Sequence, residues 1–523
     1  MKASIWAVLL VLLASASECY KILFFIPRFG VSHIRFSGRL ADVLSDAGHE
    51  VHVYQPIVDE SIQVPGFTPS KMAKVFYLPK KPGDYPSFTV HEKQDEIWEG
   101  MPISSQRNLG LCKGEACEAV LNDTKNLDLL RAENYDLVVT EYFEPCGYGV
   151  IKAIGAKKYV TTWSCGLHAG LTGPLGVKSH WSYHPGLSTL TTEKMTFLER
   201  VKSFIGFFAD YNLLRPLMVK YATQAIQKHF PEFDLSRAIA GSAFIFINSE
   251  EHVEYTVPLT PKIIRIPNMY NVAVKPLTGK ISEIVESPES RGFVLLSLGT
   301  IVHSASMPAH VKTAFLEAFA EFPDVTFFWK YENPEDGTAA DIPNVYTEKW
   351  LPQRDLLYHP KLLAFITHAG QNSVSEAAAA GVPMIALPLF ADQPKNGKMV
   401  EYREMVVYLD HKTLTKEKVV DALQAVLNNE KYKEKARLIS RMIEARPLST
   451  KETFIKHIEF AAEFGDTGTL SAEGANQNVF VFYSLDVIGF LVGVVLIVIF
   501  VLKSMVTGIF RIVKSKFVKT KQE

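Results

Sequence analysis

The stretch WLPQRDLLYHPKLLAFITHAGQNSVSEAAAAGVPMIALPLFADQP, residues 350–394, alternates apolar runs with polar turns. Its two apolar runs, LLAFIT and VPMIALPL, have the length of buried parallel strands, and a small-residue helix, SVSEAAAA, lies between them. Polar residues stand where the first strand gives way to the helix, in HAGQN, and again after the second strand, in ADQ. A strand, a crossover helix and a second strand predict a parallel α/β sheet with polar groups at its strand ends.

The same alternation runs along most of the 523 residues. The strand-like run YKILFFIP (20–27), the amphipathic segment 33–48 and HEVHVY after it predict a βαβ unit. YDLVVT (135–140) predicts a further strand, and a second α/β series begins at GFVLLSLGT (292–300). The expected fold class is α/β, with two doubly wound, Rossmann-like domains facing each other across a cleft.

Changes in composition set the expected segment boundaries. A polar stretch punctuated by Pro and Gly separates the two α/β series and predicts a linker. No G-x-G-x-x-G motif follows the first strand, so a dinucleotide cofactor is not expected. The predicted segments are a signal peptide (1–19), an N-terminal domain (20–270), the linker (271–290), a C-terminal domain (291–445), return helices with a juxtamembrane segment (446–484), a transmembrane helix (485–505) and a basic tail (506–523).

The two ends of the chain predict a membrane-anchored protein. The N-terminus, MKASIWAVLLVLLASASEC, has a Lys, an apolar run and small residues before a cleavage point, as secretory signals do. Val487 to Leu502 is an uncharged apolar run that, with its flanks, approaches the roughly 20 residues of a membrane span. A buried core helix is the alternative, but the basic tail that follows is typical of the cytoplasmic side. We expect a single-pass, type I protein with luminal domains.

The final residues, KTKQE, place Lys519 and Lys521 as in the dilysine retrieval signal of endoplasmic-reticulum membrane proteins; the alternative is that they attract anionic lipids. The net charge of −1 gives no indication of nucleic-acid binding. Five cysteines are few for a disulfide scaffold. Cys112 and Cys117 lie near a predicted glycosylation site at Asn122, and both a local disulfide and two free thiols remain open. No Cys/His spacing indicates a metal site.

The turn HAGQNS combines several ways of binding an anion. It ends a strand, and ligands of open α/β sheets bind beyond the carboxyl ends of strands. It also begins a helix, whose free N–H groups attract negative charge. Gly370 lets the backbone approach a ligand, and His368, Asn372 and Ser373 add side-chain donors, so a diphosphate fits. The alternative is a helix start alone, because Ser373 and Glu376 have the spacing of a capping box.

The W-x-P-Q, H-x-G-x-N-S-x-x-E-A and G-V-P-M-I elements of residues 350–393 resemble the UDP-glycosyltransferase family, in particular the animal UDP-glucuronosyltransferases. FGVSHIRF, SLGT and SLDVIGFL extend the resemblance over essentially the entire chain. It implies a GT-B fold, with the acceptor in the N-terminal domain and a UDP-sugar co-substrate, not a bound cofactor, in the C-terminal domain. The implied reaction is inverting transfer of glucuronate to a hydroxyl of a small lipophilic acceptor.

By the same resemblance, the C-terminal domain supplies the donor site. Trp350 would stack on uracil, Gln353 would bond the nucleoside, and Glu376 would accept hydrogen bonds from the ribose hydroxyls. Lys330 stands where relatives often carry Arg. The other implied UDP-sugar residues are Ser297, Gly299, Thr300, His368, Gly370, Asn372 and Ser373 near the diphosphate, and Asp392 and Gln393 near the sugar.

Moving a sugar to an alcohol needs a base that removes the acceptor proton. His33 follows the first strand at a helix start, where the helix dipole disfavours imidazolium and leaves a neutral imidazole able to accept a proton. The family pairs this His with an Asp at another strand end, and here that position is Glu141. Glu144 is the nearby alternative partner, and a surface or capping role is the alternative for His33.

Two other functions remain open. A UDP-glucosyltransferase, or a transferase of another UDP-hexose, would share the donor motif, and a catalytically silent membrane-anchored binding protein would share the fold. The presence of His33 and of the Asp392-Gln393 pair favours an enzyme. The apolar segment 196–218 could line a lipophilic pocket, rest on a membrane surface or form core helices. The acceptor and a homo-oligomeric state are left open.

Overall fold

The computed structural model describes residues 19–519, except 82, 84–89, 168, 178–179, 188 and 270–272. All of the predicted signal peptide except its last residue lies outside the described residues. So do Lys521 of the predicted retrieval signal and positions 271–272 of the predicted linker. Within the described residues, the chain forms two parallel sheets.

The first sheet has seven strands and is built from the N-terminal half of the chain. Its strands are β1 (Lys21–Phe25), β2 (Glu50–Pro56), β3 (Lys74–Leu78), β4 (Leu137–Glu141), β5 (Tyr159–Trp163), β6 (Ile245–Ile247) and β7 (Ile263–Arg265). Their order is β3-β2-β1-β4-β5-β6-β7, with parallel neighbours throughout. Since β1, β4 and β5 are adjacent, the residues that follow them meet at one edge of the sheet. The accompanying helices are α1 (Val31–Asp46), α2 (Gln94–Trp98), α3 (Ile103–Leu121), α4 (Thr124–Ala132), α5 (Cys146–Ile154), α6 (Ala169–Thr172), α7 (Phe197–Ala209), α8 (Arg215–His229) and α9 (Leu235–Ala240).

The second sheet has six strands, again all parallel. They are β8 (Phe293–Ser297), β9 (Thr326–Lys330), β10 (Val345–Glu348), β11 (Leu362–Thr367), β12 (Met384–Ala386) and β13 (Val406–Tyr408). Their order is β10-β9-β8-β11-β12-β13. The remaining helices are α10 (Gly279–Val285), α11 (Ala309–Ala320), α12 (Gln353–Leu357), α13 (Gln371–Ala380), α14 (Gln393–Tyr402), α15 (Lys416–Asn428), α16 (Glu430–Glu444), α17 (Thr450–Phe464), α18 (Val479–Phe482) and α19 (Leu485–Lys519).

Continuous apolar runs form the central strands because helices cover both faces of each sheet. Every residue of β4, β8 and β9 is buried. Helix α17 crosses back from the second domain, and its Phe454 and Ile458 are buried in the core of the first sheet beside Ile22 and Phe246. The predicted α/β fold is confirmed, and a short helix, α10, lies inside the segment predicted as a linker.

The cysteines pair differently from both alternatives of the sequence analysis. Cys117 forms a disulfide with Cys146, which joins α3 to α5, whereas Cys112 is buried and is not part of a disulfide. A local Cys112–Cys117 bridge and a pair of free thiols are therefore both wrong. The partner could not be found from spacing, since Cys146 is 29 residues away from Cys117 and only the fold brings them together.

The apolar segment 196–218 forms α7, a π-helical turn and the start of α8. Only Ser203 of α7 is buried, so the interpretation of this part as a core helix is wrong. The apolar face of α7 is exposed. Its exposed side chains are Phe197, Leu198, Val201, Phe204, Ile205 and Phe208.

Helix α19 is long and apolar enough over residues 485–514 to cross a membrane, and its apolar segment is not buried in the protein. A buried core helix is therefore excluded for the run that begins at Val487. Helix α7 lies beside the start of α19: the Trp181 ring contacts Phe204 of α7, with centroids 5.1 Å apart, and Tyr483, with centroids 5.8 Å apart. The exposed apolar face of α7 and the start of α19 are thus neighbours.

Candidate active site

One cavity of about 1280 Å³ lies between the carboxyl ends of the two sheets. His33 lines it from the N-terminal side, and all of the donor-site residues implied by the family resemblance line it from the C-terminal side. Glu141 lies behind His33, outside this lining. Residues from positions 33 to 393 of the chain therefore meet at a single cleft, in the place where open α/β sheets bind ligands.

His33 and Glu141 are in contact. Gly30, with a φ of +69°, begins α1 and places His33 in the first turn of the helix, beyond β1. Glu141 is the last residue of the adjacent β4, and its Oε1 is 2.7 Å from Nδ1 of His33. Ser164, just after β5, adds a hydroxyl 2.8 Å from the same Nδ1 and a peptide N–H that donates to Oε1 of Glu141 at 3.2 Å.

Glu144 has a different partner. Its Oε1 is 3.5 Å from Nζ of Lys113, which donates at 2.7 Å to the Phe143 carbonyl and lies over the Phe143 ring. His33 also contacts that ring: its imidazole stacks on it with centroids 4.3 Å apart. Of the two carboxylates that the sequence left open, the structure places Glu141 against His33.

The pKa values of the two buried carboxylates are shifted in opposite directions. Burial would raise the pKa of Glu141, but His33 and the two Ser164 hydrogen bonds outweigh it and hold the pKa below its ordinary value. Burial does raise the pKa of Glu144, against the opposing effect of Lys113, and lowers the pKa of Lys113. The surroundings of Glu141 therefore favour its ionised form, which an orienting partner for a histidine needs.

On the opposite wall, two glycines make room for His368. A Cβ at Gly299, where φ is +79°, would lie 2.7 Å from the imidazole, and a Cβ at Gly370 would lie 2.4 Å from it. Among the described residues, Nδ1 of His368 has no hydrogen-bond partner. Desolvation and the Lys330 ammonium lower the pKa of His368 to about 4, so the ring is neutral at physiological pH and offers one N–H.

The helix that follows His368 does not begin with a capping box. Helix α13 begins at Gln371 after Gly370, which makes no side-chain cap bond. Glu376 instead accepts a hydrogen bond from Nε2 of Gln353 at 2.7 Å, and Ser373 lies 3.5 Å from the same nitrogen. The capping-box interpretation is therefore wrong. The free N–H groups at the start of α13 are available to an anion.

Trp350 stands beside this cluster with 57% of its surface exposed. The guanidinium carbon of Arg35, from α1 in the other domain, lies 5.0 Å from the centre of its ring. An exposed indole next to a carboxylate and an amide suits a nucleoside, since the base can stack while the ribose hydroxyls donate to Glu376.

The remaining implied residues lie at the strand ends around His368. Ser297 ends β8, and Lys330 ends β9 with its Nζ 2.6 Å from Glu332. Burial raises the pKa of Asp392, which accepts a hydrogen bond from Asn396 at 2.8 Å. Oε1 of Gln393 accepts from the Leu389 N–H at 2.9 Å and the Phe390 N–H at 3.3 Å, holding the turn before α14.

Sequence reasoning missed several residues of the cleft. Ser164 and Lys113 carry no motif, although a polar residue directly after the strand run YVTTW was a usable signal for Ser164. Ala369 and Ala391 have φ of +59° and +56°, values that non-glycine residues seldom adopt, and they precede Gly370 and Asp392. Strained backbone of this kind clusters at functional sites. A sequence pattern built on glycines could not reveal it.

Comparisons with known proteins agree with this geometry. The family described as "UDP-glucoronosyl and UDP-glucosyl transferase" matches residues 30–522. UDP-glucuronosyltransferase 3A1 of Bos taurus is 30% identical over 490 residues, covering 92% of this chain and 91% of that protein. UDP-glucuronosyltransferase 3A2 of Homo sapiens is 30% identical over 506 residues, covering 92% and 91%.

Solved structures show the same fold. A structure of Phytolacca americana UGT2, complexed with UDP-2fluoro-glucose and pterostilbene, has a TM-score of 0.58 at 15% identity, covering 85% of this chain and 99% of that one. The spinosyn forosaminyltransferase SpnP has a TM-score of 0.57 at 18% identity, covering 85% and 100%. With its two facing sheets, its cleft and a family match over nearly its full length, the chain is a glycosyltransferase enzyme that belongs to the UDP-glucoronosyl and UDP-glucosyl transferase family.

Proposed function

We propose that the enzyme transfers glucuronate from UDP-glucuronate to a hydroxyl of small lipophilic acceptors, with inversion at the anomeric carbon. The observation that carries this proposal is the His33–Glu141 contact of 2.7 Å, facing a wall of hydrogen-bond donors across one cleft. An imidazole–carboxylate pair at the wall of the cleft supports base catalysis, and the donors support binding of a nucleotide diphosphate.

The base is Nε2 of His33. Because Nδ1 faces the Glu141 carboxylate, that nitrogen carries the proton, and Nε2 has the lone pair that accepts the acceptor's hydroxyl proton. The oxygen then forms a bond to the anomeric carbon while the bond from that carbon to the phosphate oxygen of UDP breaks. Glu141 stabilises the imidazolium that results, as the carboxylate of a catalytic triad does.

The C-terminal wall holds the donor. Trp350 stacks on the uracil base, and Glu376, oriented by Gln353, accepts from the ribose hydroxyls. The N-terminus of α13 and His368 donate N–H groups to the diphosphate, and the Lys330 ammonium balances its negative charge, which increases as the sugar departs. Asp392 and Gln393 contact the sugar hydroxyls. The UDP-sugar is a co-substrate in this scheme, and the chain's own N–H donors and Lys330 stabilise the leaving group.

Glucuronate is the donor we favour because the relatives that match most of the chain are named UDP-glucuronosyltransferases. The direct test is an assay of membranes containing the protein with UDP-glucuronate and with UDP-glucose against a panel of phenols. Conjugates formed with UDP-glucuronate alone support the proposal. Conjugates formed with UDP-glucose alone would reassign the donor, and UDP binding without transfer of either sugar would indicate a silent binding protein.

A lipophilic acceptor follows from the other side of the cavity. Its N-terminal wall includes the apolar side chains of Phe29, Met101, Phe143, Trp163 and Leu214. The exposed apolar face of α7 lies beside the start of the α19 anchor, so we place that face on the membrane surface, where lipid-soluble acceptors concentrate. Conjugation of hydrophobic compounds, including xenobiotics, is the role that this arrangement suits.

We further propose an endoplasmic-reticulum location with luminal domains. Asn122 ends α3 with an exposed side chain, as a glycosylation site requires. Glycosidase treatment should shift the mobility of the wild-type protein and leave Asn122→Gln unchanged, and a tag at the C-terminus should be cleaved by protease in sealed microsomes. A protected C-terminal tag would overturn this orientation.

A further inference from the structure

Asn248 connects the two walls of the cleft. It follows β6 directly, is 1% exposed, and its side-chain nitrogen donates two hydrogen bonds. One goes to the Ser164 carbonyl oxygen at 2.9 Å, within the N-terminal domain. The other goes to Oδ1 of Asn372, near the start of α13 in the C-terminal domain, at 2.6 Å. No motif singled out this residue.

The chemistry of these partners fixes the orientation of both amides. The Ser164 carbonyl can only accept, so the NH₂ group of Asn248 must face it. The second N–H of that group is then directed at Asn372, which must respond with its oxygen. What the Asn372 side chain can present to an anion at the N-terminus of α13 is therefore its N–H donors. An oxygen in that place would repel a diphosphate.

The same amide holds the residue that touches both members of the dyad. Ser164 donates its peptide N–H to Glu141 and places its hydroxyl against Nδ1 of His33. A continuous set of hydrogen bonds therefore runs from the start of α13 through Asn248 and Ser164 to the base. A shift of Asn248 changes the position of Ser164 and the orientation of Asn372 together.

We propose that Asn248 is a positioning residue that couples the diphosphate site to the His33–Glu141 dyad. It orients the N–H donors of Asn372 on one wall and holds Ser164 in position on the other. The base and the anomeric carbon of the bound UDP-sugar are thereby kept in the relative position that the reaction requires. This inference rests on the proposed function. The competing explanation is a structural fastening of the two domains, which would affect stability alone.

Two substitutions test the role. Asn248→Asp keeps the shape of the side chain, but its carboxylate cannot donate to the Ser164 carbonyl. It also repels Oδ1 of Asn372, so the Asn372 amide rotates and turns this oxygen toward the phosphates. We expect the affinity for UDP, measured by calorimetry, to fall about tenfold, as loss of a buried hydrogen bond to a charged group does. Asn248→Ala should lower kcat at saturating UDP-sugar by about tenfold or more and shift the pH–rate profile, because the dyad is no longer held.

A second asparagine, half-buried and hydrogen-bonded through its side chain, provides the control. The side-chain nitrogen of Asn344 donates to the carbonyls of Phe319, Phe322 and Val325, at 2.9–3.0 Å, in the outer part of the C-terminal domain. Asn344→Asp should lower the melting temperature without changing UDP affinity or turnover per folded molecule. If Asn248→Ala fails to fold, Asn248→Asp carries the test because its volume is unchanged.

A double-mutant cycle separates positioning from fastening. Asn372→Ala should weaken UDP binding by itself, and adding Asn248→Ala should weaken it little further if the two residues act as a unit. Wild-type affinity and pH profile in both Asn248 variants, or fully additive effects, would overturn the proposal. The binding measurement uses UDP alone and needs no sugar transfer. If Asn248 and Asn372 are coupled in a protein that transfers no sugar, this result would contradict the proposed function but still support the proposed orientation of Asn372. Absence of UDP binding in the wild type would overturn both.

Discussion

The two walls of the cleft differ in how far their functional groups already have partners within the protein. On the N-terminal wall, the chemical groups contact each other directly: His33 lies 2.7 Å from Glu141, and Lys113 lies 3.5 Å from Glu144. On the C-terminal wall, glycines surround a neutral His368, and the helix that follows begins without a side-chain cap. One wall holds ionisable side chains in contact with one another, whereas the other presents N–H groups to a charge that the ligand brings.

This difference follows from the chemistry each wall performs. A base must have its tautomer and orientation set before the acceptor arrives, so its partner belongs to the protein. A diphosphate site gains most from donors that have no competing anion, because each hydrogen bond is then made to the ligand. Substitutions on the N-terminal wall should therefore affect turnover, and those on the C-terminal wall should affect donor affinity.

The largest effect is expected for His33→Ala. Without the imidazole, no group takes the acceptor proton, and general-base catalysis typically contributes 10²–10⁴-fold, so kcat should fall by about that factor. The affinity for UDP should stay at the wild-type value, because the donor residues lie on the other wall. If the variant keeps more than about a third of wild-type turnover, His33 is not the general base, because a general base contributes far more than that to the rate.

The second prediction separates the two carboxylates. Glu141→Gln should lower kcat by about 10²-fold, because its amide can donate to Nδ1 and favour the wrong imidazole tautomer. Glu144→Gln should change kcat little, since Glu144 faces Lys113 and not His33.

A sharper form of the same test is Glu141→Asp, which restores the residue of the family at this position. Activity should survive if the site tolerates the shorter side chain. The opposite pattern, with Glu144→Gln inactive and Glu141→Gln active, would assign the orienting role to Glu144 in spite of its contact with Lys113.

The C-terminal wall was the more predictable one from sequence. Trp350, Gln353, His368 and Glu376 come from one short stretch whose strand ends and helix start are adjacent by connectivity alone. Its βαβ pattern therefore predicted both the local fold and the site. Gly370, which is predicted to let the backbone approach a ligand, also makes room for the ring of His368.

The N-terminal wall depends on strand order, which no local pattern contains. His33 and Glu141 are 108 residues apart, and His33 and Ser164 are 131 apart. They meet because β1, β4 and β5 are neighbours in the sheet. Family resemblance pointed to His33 and Glu141, but Ser164, Lys113 and the Cys117–Cys146 bridge required the structure.

The third prediction concerns Glu376→Gln, on the donor wall. If Glu376 accepts from both ribose hydroxyls, the amide loses a charge-assisted acceptor worth roughly 1.5–3 kcal/mol, and UDP affinity should fall about tenfold or more. The melting temperature of the empty protein should change little, because glutamine can still accept from Gln353.

Calorimetric titration of UDP measures this effect, with Glu317→Gln, an exposed glutamate on α11, as the control. Unchanged affinity in Glu376→Gln would mean that the Gln353–Glu376 hydrogen bond only supports the helix. A reduced kcat with unchanged UDP affinity would contradict the assignment of turnover to the N-terminal wall and of donor affinity to the C-terminal wall.

The smallest predicted effect is a pH dependence of donor binding. In the empty cleft, the pKa of His368 is about 4, because desolvation and Lys330 disfavour the imidazolium. A bound UDP-sugar places negative charge beside the ring, which favours the protonated form and raises this pKa. Binding then takes up a proton, so affinity should increase as the pH falls from 7 toward 5.

The gain is bounded by how far the pKa rises: a full return to the ordinary value near 6.5 would strengthen binding by about thirtyfold at pH 5, a partial return by less, and either changes binding very little at pH 7. UDP-glucose is the suitable probe, because its diphosphate keeps a constant charge over this range. His368→Gln keeps an N–H donor but cannot titrate, so its affinity for UDP-glucose should be flat across the same window. An equal pH dependence in the wild type and His368→Gln would show that the ring lies away from the phosphates, and the donor wall would then depend on the N-terminus of α13 and Lys330 alone.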